Sequence, residues 1–257
     1  MGRVLGIDGN VLLQRLWHQG KADPALLPPL IERLMQCAGI TSDGDVKVVF
    51  DHGRSAKRRR WLPDYKGNRP VKSTEQLLFF ARAKAKAGER WETLMEKDTE
   101  GDDLAALLAR TVPTADTCLF LWTIDHDWLQ LACDDDLHRV VVIREDYKTR
   151  ENRFYTEAGA TKFLGMPCRR WSEWAAFVGD PGDNVPALFS EAQAKTLLTK
   201  YRTLKNAIAL APECKGKRAS LIKNYLATNL LLSPEEEGEW ESLLNASASH
   251  ANAGFCA

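Results

Sequence analysis

Several common features are absent from this sequence of 257 residues. It contains no hydrophobic run of transmembrane length, and its N-terminus lacks the segments of a secretion signal. The six cysteines include no Cys-x-x-Cys pair, which excludes the common zinc-binding spacing. These absences predict a reduced, cytoplasmic protein without a zinc site. The length allows one large domain, or a catalytic domain with a smaller appendage.

The sequence also lacks a net charge, because 35 Lys and Arg balance 35 Asp and Glu. That balance alone argues against a general polyanion-binding protein. The charges are unevenly distributed, however: residues 51–72 contain eight basic residues and two acids, and residues 195–223 contain eight basic residues and one acid. Each segment alone could be a solvated helix face. Together they make nucleic acid the leading candidate partner.

Short apolar runs alternate with segments of helical periodicity, which is typical of an α/β protein with a parallel sheet. The strand-like runs are residues 4–7, 46–50, 118–124 and 140–143, and helical periodicity is found at residues 25–37, 75–95, 104–109 and about 192–232. The first three strand-like runs are followed by carboxylates, at Asp8, at Asp51, and at Asp125 with Asp127. Ligand sites in open parallel sheets lie at the carboxyl ends of strands, so these acids are candidate site residues.

Four carboxylates lie within residues 98–103, directly before the helix-forming run 104–109. Acids in a first helical turn complement the helix dipole, but capping requires only one or two of them. Helical spacing places Glu100 and Asp103 on one face. A hard cation would explain the cluster, and a solvated helix cap is the alternative.

Nine carboxylates follow the strands, belong to the acidic cluster, or lie in the Gly/Pro-rich turn at residues 179–184. They are Asp8, Asp51, Glu100, Asp102, Asp103, Asp125, Asp127, Asp180 and Asp183. The set contains no His or Cys, and ligand sets made only of oxygen select Mg²⁺ or Mn²⁺. So many like charges suit a two-ion site that hydrolyses phosphodiester bonds. A simple turn is the alternative for the last two acids.

Short motifs at residues 7–10, 50–51, 62–69, 100–103, 125–127 and 178–186 occur in the order found in one protein family. Over residues 3–230 the sequence resembles the 5′ nucleases, which include flap endonucleases, bacteriophage 5′-3′ exonucleases and the N-terminal nuclease domain of bacterial DNA polymerase I. Since no polymerase follows, it most resembles the free-standing, phage-type or small bacterial members.

The resemblance implies an α/β fold with a PIN-like, mostly parallel central sheet, flanking helices, a helical arch and a helical C-terminal subdomain of the helix–three-turn–helix type. The expected organisation is an α/β nuclease core at residues 1–165, with the arch at about 54–99. A helical DNA-binding subdomain at residues 166–245 and a disordered tail at 246–257 follow.

The resemblance also implies site residues. Asp8, Asp51, Glu100, Asp102 and Asp103 would form the first Mg²⁺ site, and Asp125, Asp127, Asp180 and Asp183 the second, with Mn²⁺ able to substitute. Lys66 and Arg69 would contact the scissile phosphate, with Arg15 as a further phosphate contact. The family's Gly-x-Gly turn is missing, because no glycine lies between Gly182 and Gly216. The downstream cations Lys195, Lys200, Arg202 and Lys205 are therefore expected to contact the duplex instead. The basic segment after Asp51 supplies the remaining expected DNA contacts, Arg58, Arg59 and Arg60.

The sequence thus predicts a monomeric 5′-3′ exonuclease and flap endonuclease that acts on DNA with 5′ ends, flaps or nicks, in a bacterial or phage-infected cell. RNA in RNA–DNA hybrids is a further candidate substrate. A PIN-like ribonuclease is the enzymatic alternative, against which stand the basic segment after residue 54 and the second group of acids. A structure-specific DNA-binding protein without catalysis is the other alternative, but none of the nine carboxylates is missing.

Overall fold

The computed structural model describes residues 1–136, 138–146 and 148–252, with side chains up to residue 246. Its strands are β1 (Gly2–Asp8), β2 (Val46–Val49), β3 (Glu92–Leu94), β4 (Thr117–Thr123), β5 (Cys133–Asp134), β6 (Arg139–Glu145) and β7 (Asn152–Tyr155). Its α-helices are α1 (Gly9–His18), α2 (Leu27–Ala38), α3 (Ala56–Trp61), α4 (Thr74–Gly88), α5 (Gly101–Thr111), α6 (Glu157–Leu164), α7 (Trp171–Val178), α8 (Glu191–Tyr201), α9 (Leu204–Leu210), α10 (Arg218–Thr228) and α11 (Pro234–Asn252).

The chain divides into two compact units. The first unit comprises residues 1–54 and 70–168 and contains every strand together with α1, α2, α4, α5 and α6. The second unit comprises residues 55–69 and the chain from residue 169 onward, and its described elements are helical. The segment 55–69, predicted as part of the arch of the α/β core, therefore belongs to the helical unit. Helix α11 reaches into the range 246–257 predicted as a disordered tail, and residues 253–257 lie outside the described residues.

The sheet of the first unit has the strand order β3-β2-β1-β4-β6-β5, and β7 also pairs with β6. The pairs from β3 through to β6 are parallel, whereas β5 and β7 run antiparallel to β6. This confirms the predicted α/β architecture with a mostly parallel sheet. The chain moves outward from β1 to β2 and β3, then returns to place β4 on the other side of β1. Such a reversal opens a crevice at the carboxyl ends of the two central strands.

The core of the first unit lies between the central strands and the helices packed on them. Leu5, Ile7 and Val48 of the strands are fully buried, as are Leu13 of α1 and Ile31 of α2. Complete burial of an aliphatic side chain contributes about 1.5–3 kcal/mol relative to its exposure. This packing holds the carboxyl end of β1 in place.

The helix predicted over residues 75–95 ends early in the structure. Helix α4 ends at Gly88, and Glu92–Leu94 form β3, which pairs in parallel with β2. The prediction for the last residues was wrong because the free edge of β2 takes up this short stretch. Thr93 lies opposite Val48, and the N–H of Phe50 donates to the carbonyl of Leu94 at 2.9 Å.

The core of the second unit is formed by α7, α10 and the loop that follows α7. The side-chain amide of Asn224 in α10 is buried and donates to the carbonyls of Ala176 at 3.0 Å and Pro186 at 2.9 Å. The rings of Phe177 and Phe189 meet edge to face at a centroid distance of 5.4 Å. These contacts fix both ends of the loop that carries Asp180 and Asp183.

The cysteines at positions 37, 118, 133, 168 and 214 carry free thiols, and Cys256 lies outside the described residues. Within the part of the chain that is described, no helix is both long and apolar enough to span a membrane.

Candidate active site

Asp8 lies at the carboxyl end of β1 and caps the N-terminus of α1. One carboxylate oxygen accepts the N–H of Val11 at 3.2 Å, and the other accepts the hydroxyl of Thr123 at 2.9 Å. The next residue is glycine for a steric reason: a Cβ at Gly9 would lie 2.1 Å from the Phe50 ring. The tight turn therefore brings a buried carboxylate to the crevice where β1 and β4 end.

The electrostatic environment of Asp8 disfavours its charged form. Burial raises the pKa of the Asp8 carboxyl well above its ordinary value of 3.8, and the charges of Asp102 and then Asp51 raise the pKa further. Three carboxylates from separate parts of the chain thus interact at one point of the first unit. Their oxygens fit a hard divalent cation, because a bound cation would offset both the desolvation and the repulsion.

Asp51 faces the N-terminus of α5. The N–H of Gly101 donates to Asp51 Oδ1 at 2.7 Å, and a Cβ at Gly101 would lie 3.3 Å from that oxygen. Glu100, which is buried, and Asp103 form a reciprocal capping box at the start of this helix. The capping role left open by the sequence is therefore present for these two acids.

Asp125, His126 and Asp127 follow β4 and bring one potential ligand atom each to within 4.8 Å of one another. The N–H of Asp125 donates to Thr123 Oγ1 at 3.0 Å, so one threonine orders both this loop and Asp8. His126 Nε2 lies 3.3 Å from Asp127 Oδ1. The loop forms a second concentration of possible metal ligands in the same unit.

Asp180 and Asp183 lie in the second unit, in the loop after α7. Gly179 has φ +71°, and a Cβ there would lie 2.5 Å from the carbonyl oxygen of Val185, so the loop requires glycine at this position. Asp180 and Val185 then pair through two backbone hydrogen bonds of 3.0 and 2.8 Å. Asp180 Oδ1 accepts the N–H of Gly182 at 2.8 Å, which is the turn role that the sequence left open.

Asp183 is surrounded by residues of the 62–69 motif. Its carboxylate accepts hydrogen bonds from Arg69 Nη2 at 2.5 Å and from the hydroxyl of Tyr65 at 2.7 Å, and Lys66 Nζ lies 3.6 Å away. The backbone of Lys66 has φ +53°, which is unusual for a residue with a side chain. Its N–H donates to the carbonyl of Asp183 at 2.9 Å, which holds this conformation in place. Lys66 and Arg69, the two predicted phosphate contacts, therefore both lie at Asp183, a predicted metal ligand.

Arg58 differs from its prediction as a DNA contact, because its side chain is only 3% exposed. Its guanidinium donates to the hydroxyl of Tyr65 at 3.3 Å and lies over the Tyr65 ring. In a helix as short as α3, one residue of an Arg-Arg-Arg run turns inward while Arg59 and Arg60 stay exposed. Arg58 therefore supports Tyr65 from inside the unit.

The other predicted DNA contacts fall into two groups. Arg15 is partly buried, stacks on Trp122 and forms a 2.8 Å ion pair with the buried Glu145, so it is engaged inside the first unit. The remaining side chains are exposed on α8, α9 and the turn that joins them. They are Lys195, Lys200, Arg202 and Lys205.

Residues 3–164 match the sequence model of a family described as 5′-3′ exonuclease, N-terminal resolvase-like domain. The chain belongs to this family. The match covers the first unit almost completely, including the residues around Asp8 and the loop at 125–127.

The 5′-3′ exonuclease family membership agrees with the curated relatives. The chain is 29% identical over 187 residues to DNA polymerase I of Mycobacterium bovis, which covers 71% of this chain and 20% of the relative. It is 27% identical over 240 residues to thermostable DNA polymerase I of Thermus aquaticus, with 84% of this chain and 26% of the relative covered. The chain therefore spans about a fifth to a quarter of the length of these relatives.

Solved structures confirm the PIN-like α/β fold. The flap endonuclease D15 of bacteriophage T5, solved with DNA and metal ions, superposes with a TM-score of 0.74 at 17% identity, over 96% of this chain and 99% of that one. The catalytic core of Rad2 in complex with a DNA substrate superposes with a TM-score of 0.52 at 13% identity, over 95% and 72% of the two chains.

Three residues at the site were not predicted. Thr123 hydrogen bonds to Asp8 as described, and its polar side chain at the end of an apolar strand is a signal that could have identified it. The indole N–H of Trp128 donates to Asp102 Oδ1 at 2.8 Å. Lys84 Nζ donates to the carbonyl of Asp51 at 2.7 Å, and its pKa is lowered mainly by burial. The sequence carries no comparable signal for Trp128 and Lys84, which are identified only from the folded structure.

Proposed function

We propose that this chain is a 5′ nuclease that hydrolyses phosphodiester bonds of DNA at 5′ ends and flaps with divalent metal ions. One observation carries the proposal. A buried carboxylate, Asp8, interacts with Asp51 and Asp102 at the carboxyl ends of the central strands, in a chain of the 5′-3′ exonuclease family. Stable burial of such a group requires a cation or a proton.

The first metal ion would be held by five carboxylates, of which Glu100, Asp102 and Asp103 lie at the start of α5 and the other two are Asp8 and Asp51. Asp125 and Asp127 would hold the second ion, and the family motif supports Asp180 and Asp183 as its further ligands. Ions in these positions would activate a water molecule and neutralise the charge that develops on the phosphate. Oxygen ligands favour Mg²⁺, with Mn²⁺ as a substitute.

The protein's own groups would orient the substrate. Lys66 and Arg69 carry the positive charges at Asp183, and a guanidinium fork is suited to two phosphate oxygens. Both side chains are held by the backbone hydrogen bonds of their loop, since the N–H of Lys66 donates to Asp183 and that of Arg69 to the carbonyl of Lys66. Such preorganised donors stabilise a transition state more than a mobile basic patch does.

The direct test is a cleavage assay with purified protein and Mg²⁺ or Mn²⁺. Flap, nicked and blunt DNA duplexes, an RNA–DNA hybrid and single-stranded RNA carry 5′ or 3′ labels, and product lengths are measured. Release of flaps and of short 5′ products from DNA is the expected result. Cleavage confined to RNA would support the PIN-like ribonuclease, and binding without cleavage in either metal would support the non-catalytic alternative.

Replacing Mg²⁺ with Ca²⁺ is expected to retain DNA binding but to remove nearly all cleavage. Ca²⁺ is larger and tolerates looser coordination, so the reacting groups are positioned poorly. Affinity for flap DNA and the single-turnover rate are measured in each metal, and excess Mg²⁺ added to the Ca²⁺ complex should restore cleavage. Equal rates in the two metals would contradict a mechanism that depends on tight metal geometry.

Replacing Tyr65 with phenylalanine is expected to raise the Mg²⁺ concentration needed for half-maximal cleavage by roughly 10-fold. The variant keeps the buried ring but loses the hydroxyl that hydrogen bonds to Asp183 and Arg58. Saturating Mg²⁺ should restore most of the rate. Tyr225→Phe is the matched control, because it removes the hydroxyl of a partly buried tyrosine of the same unit, whose pKa burial raises to about 12. If both variants shift the Mg²⁺ requirement equally, Tyr65 has no specific role at Asp183.

A further inference from the structure

Helix α11 pairs its glutamates with basic side chains that come from two other helices of the second unit. Glu237 lies 3.0 Å from Lys57 of α3, and Glu241 lies 2.9 Å from Arg60 of the same helix. Glu239 lies 3.3 Å from Lys205 of α9. The chain thus brings cations from both of its basic segments against one acidic helix.

The spacing of these pairs follows from helix geometry. Glu237 and Glu241 are four residues apart and share one face of α11, and they meet Lys57 and Arg60, which are three residues apart on one face of α3. Glu239 points to the opposite side of α11, toward Lys205. The three acids are therefore engaged on two sides of the helix, and the pairing does not depend on one contact alone.

An aromatic contact anchors α11 independently of its charges. The rings of Trp240 in α11 and Tyr225 in α10 lie at a centroid distance of 4.5 Å. The ion pairs differ in exposure: the side chains are 57% and 68% exposed for Lys205 and Glu239, 59% and 28% for Arg60 and Glu241, and 37% and 18% for Lys57 and Glu237. Each pair therefore keeps at least its cation more than a third exposed to solvent. An exposed pair shifts an equilibrium only about 1.4- to 5-fold. The helix can therefore stay docked while a denser array of negative charge replaces its glutamates.

We propose that Lys57 and Arg60 on one side of α11 and Lys205 on its other side form a binding site for the phosphate backbone of nucleic acid, and that Glu237, Glu239 and Glu241 of α11 occupy this site in the free protein. The inference rests on the proposed function for its ligand. Helix α11 is then an internal competitor that lowers affinity for any polyanion. A substrate that also contacts Lys66 and Arg69 gains enough binding energy to displace the glutamates. Duplex DNA without a flap or nick does not.

The competition predicts a distinctive salt dependence. A lysine that binds a phosphate releases roughly one condensed counterion from the DNA, which gives a slope of about −0.9 per contact in a plot of log K against log salt. In the wild-type chain each such contact also frees a glutamate, which takes up a cation from solution. Removing the glutamate charges should therefore strengthen binding and also steepen its salt dependence.

The test compares two variants of the full chain that have the same net charge. The first is Glu237→Gln/Glu239→Gln/Glu241→Gln, which removes the three acids of the ion pairs. The second is Glu191→Gln/Glu213→Gln/Glu235→Gln, which neutralises three glutamates of the same unit outside these pairs. Anisotropy of a fluorescein-labelled blunt duplex is measured in EDTA at several KCl concentrations, with circular dichroism and thermal unfolding as controls for folding.

The first variant is expected to bind the duplex roughly 5- to 30-fold more tightly than wild type at low salt, with a slope steeper by about two to three units. The control variant should gain no more than about threefold, because it changes only the general field. Adding Lys57→Ala, Arg60→Ala and Lys205→Ala to the first variant should remove its gain. Equal gains in both variants at every salt concentration would overturn the proposal.

Failure of the competition by α11 can be distinguished from failure of the proposed nuclease function. If wild type cleaves flap DNA in Mg²⁺ but the first variant binds and responds to salt as the control does, only the competition by α11 is refuted. If neither wild type nor any variant cleaves or binds DNA, the proposed function fails, and with it the assignment of a nucleic-acid ligand to this site.

Discussion

Replacing Asp8 with asparagine is expected to lower the single-turnover cleavage rate by a factor on the order of 10³ or more, while making the metal-free protein more stable. Water activation and charge stabilisation at phosphorus each carry several kcal/mol in metal-dependent hydrolysis, so losing a central ligand removes both. Asn keeps the shape of the side chain and one oxygen, which can accept the N–H of Val11, while its amide NH2 replaces the oxygen at Thr123 and can donate to the hydroxyl of that residue. It lacks the charge that burial, Asp102 and Asp51 disfavour.

The gain in stability has a defined pH dependence. A carboxyl with a raised pKa stabilises the fold below its unfolded value near 3.8, and this contribution is lost as pH rises through the folded value. Above that pH the charged Asp8 destabilises the metal-free wild type, and Asp8→Asn does not carry this penalty. The melting temperature in EDTA should therefore be higher for the variant, by roughly 2–4 °C for each kcal/mol of relieved repulsion.

Melting curves from pH 4 to 8, in EDTA and in Mg²⁺, together with cleavage rates, provide the measurement. The difference between Asp8→Asn and wild type should widen with pH in EDTA and shrink when Mg²⁺ is added. Asp45→Asn, at an exposed position of the same unit, is the control and should match wild type in both properties. Cleavage by Asp8→Asn within tenfold of wild type, or a lower melting temperature in EDTA, would contradict the role assigned to Asp8.

The second large effect is expected for Lys66→Ala and Arg69→Ala, each of which should lower the single-turnover rate on the order of 10²-fold with little loss of DNA affinity. Both side chains are held at Asp183, and preorganised donors act mainly in the transition state. Arg59→Ala/Arg60→Ala should do the reverse: it should weaken binding and leave the rate at saturation close to wild type. It should flatten the salt dependence of binding by about one unit for Arg59 and by less for Arg60, whose release from Glu241 takes up a cation.

Rates at saturating protein and affinities in Ca²⁺ separate the two kinds of effect. Arg58 is left out of the comparison because it is buried against Tyr65, and its removal would disturb the fold. Lys72→Ala, an exposed change close to the motif, serves as the control. If Lys66→Ala and Arg59→Ala/Arg60→Ala change rate and affinity in the same proportion, the segment acts as one basic patch without a positioning role.

The sequence was informative where local chemistry decides structure. Apolar runs predict the central strands, and a parallel sheet places their carboxyl ends along one edge, so the positions of Asp8 and Asp51 followed from the pattern alone. Three further features depend on contacts between distant parts of the chain and could not be predicted. The inward turn of Arg58 depends on how α3 packs, β3 exists because β2 offers a free edge, and Lys84 reaches Asp51 across 33 residues.

The discontinuous second unit has a consequence for the biosynthesis of the chain. Helix α3 and the 62–69 motif leave the ribosome before residues 70–168, and the rest of their unit begins at residue 169. At roughly 5–20 residues per second, they wait for several seconds or longer without a core. During that time Trp61 and Tyr65, both buried in the finished protein, are exposed together with a dense group of cations. We expect the mutual repulsion of these cations to oppose association of nascent chains until the C-terminal helices are made.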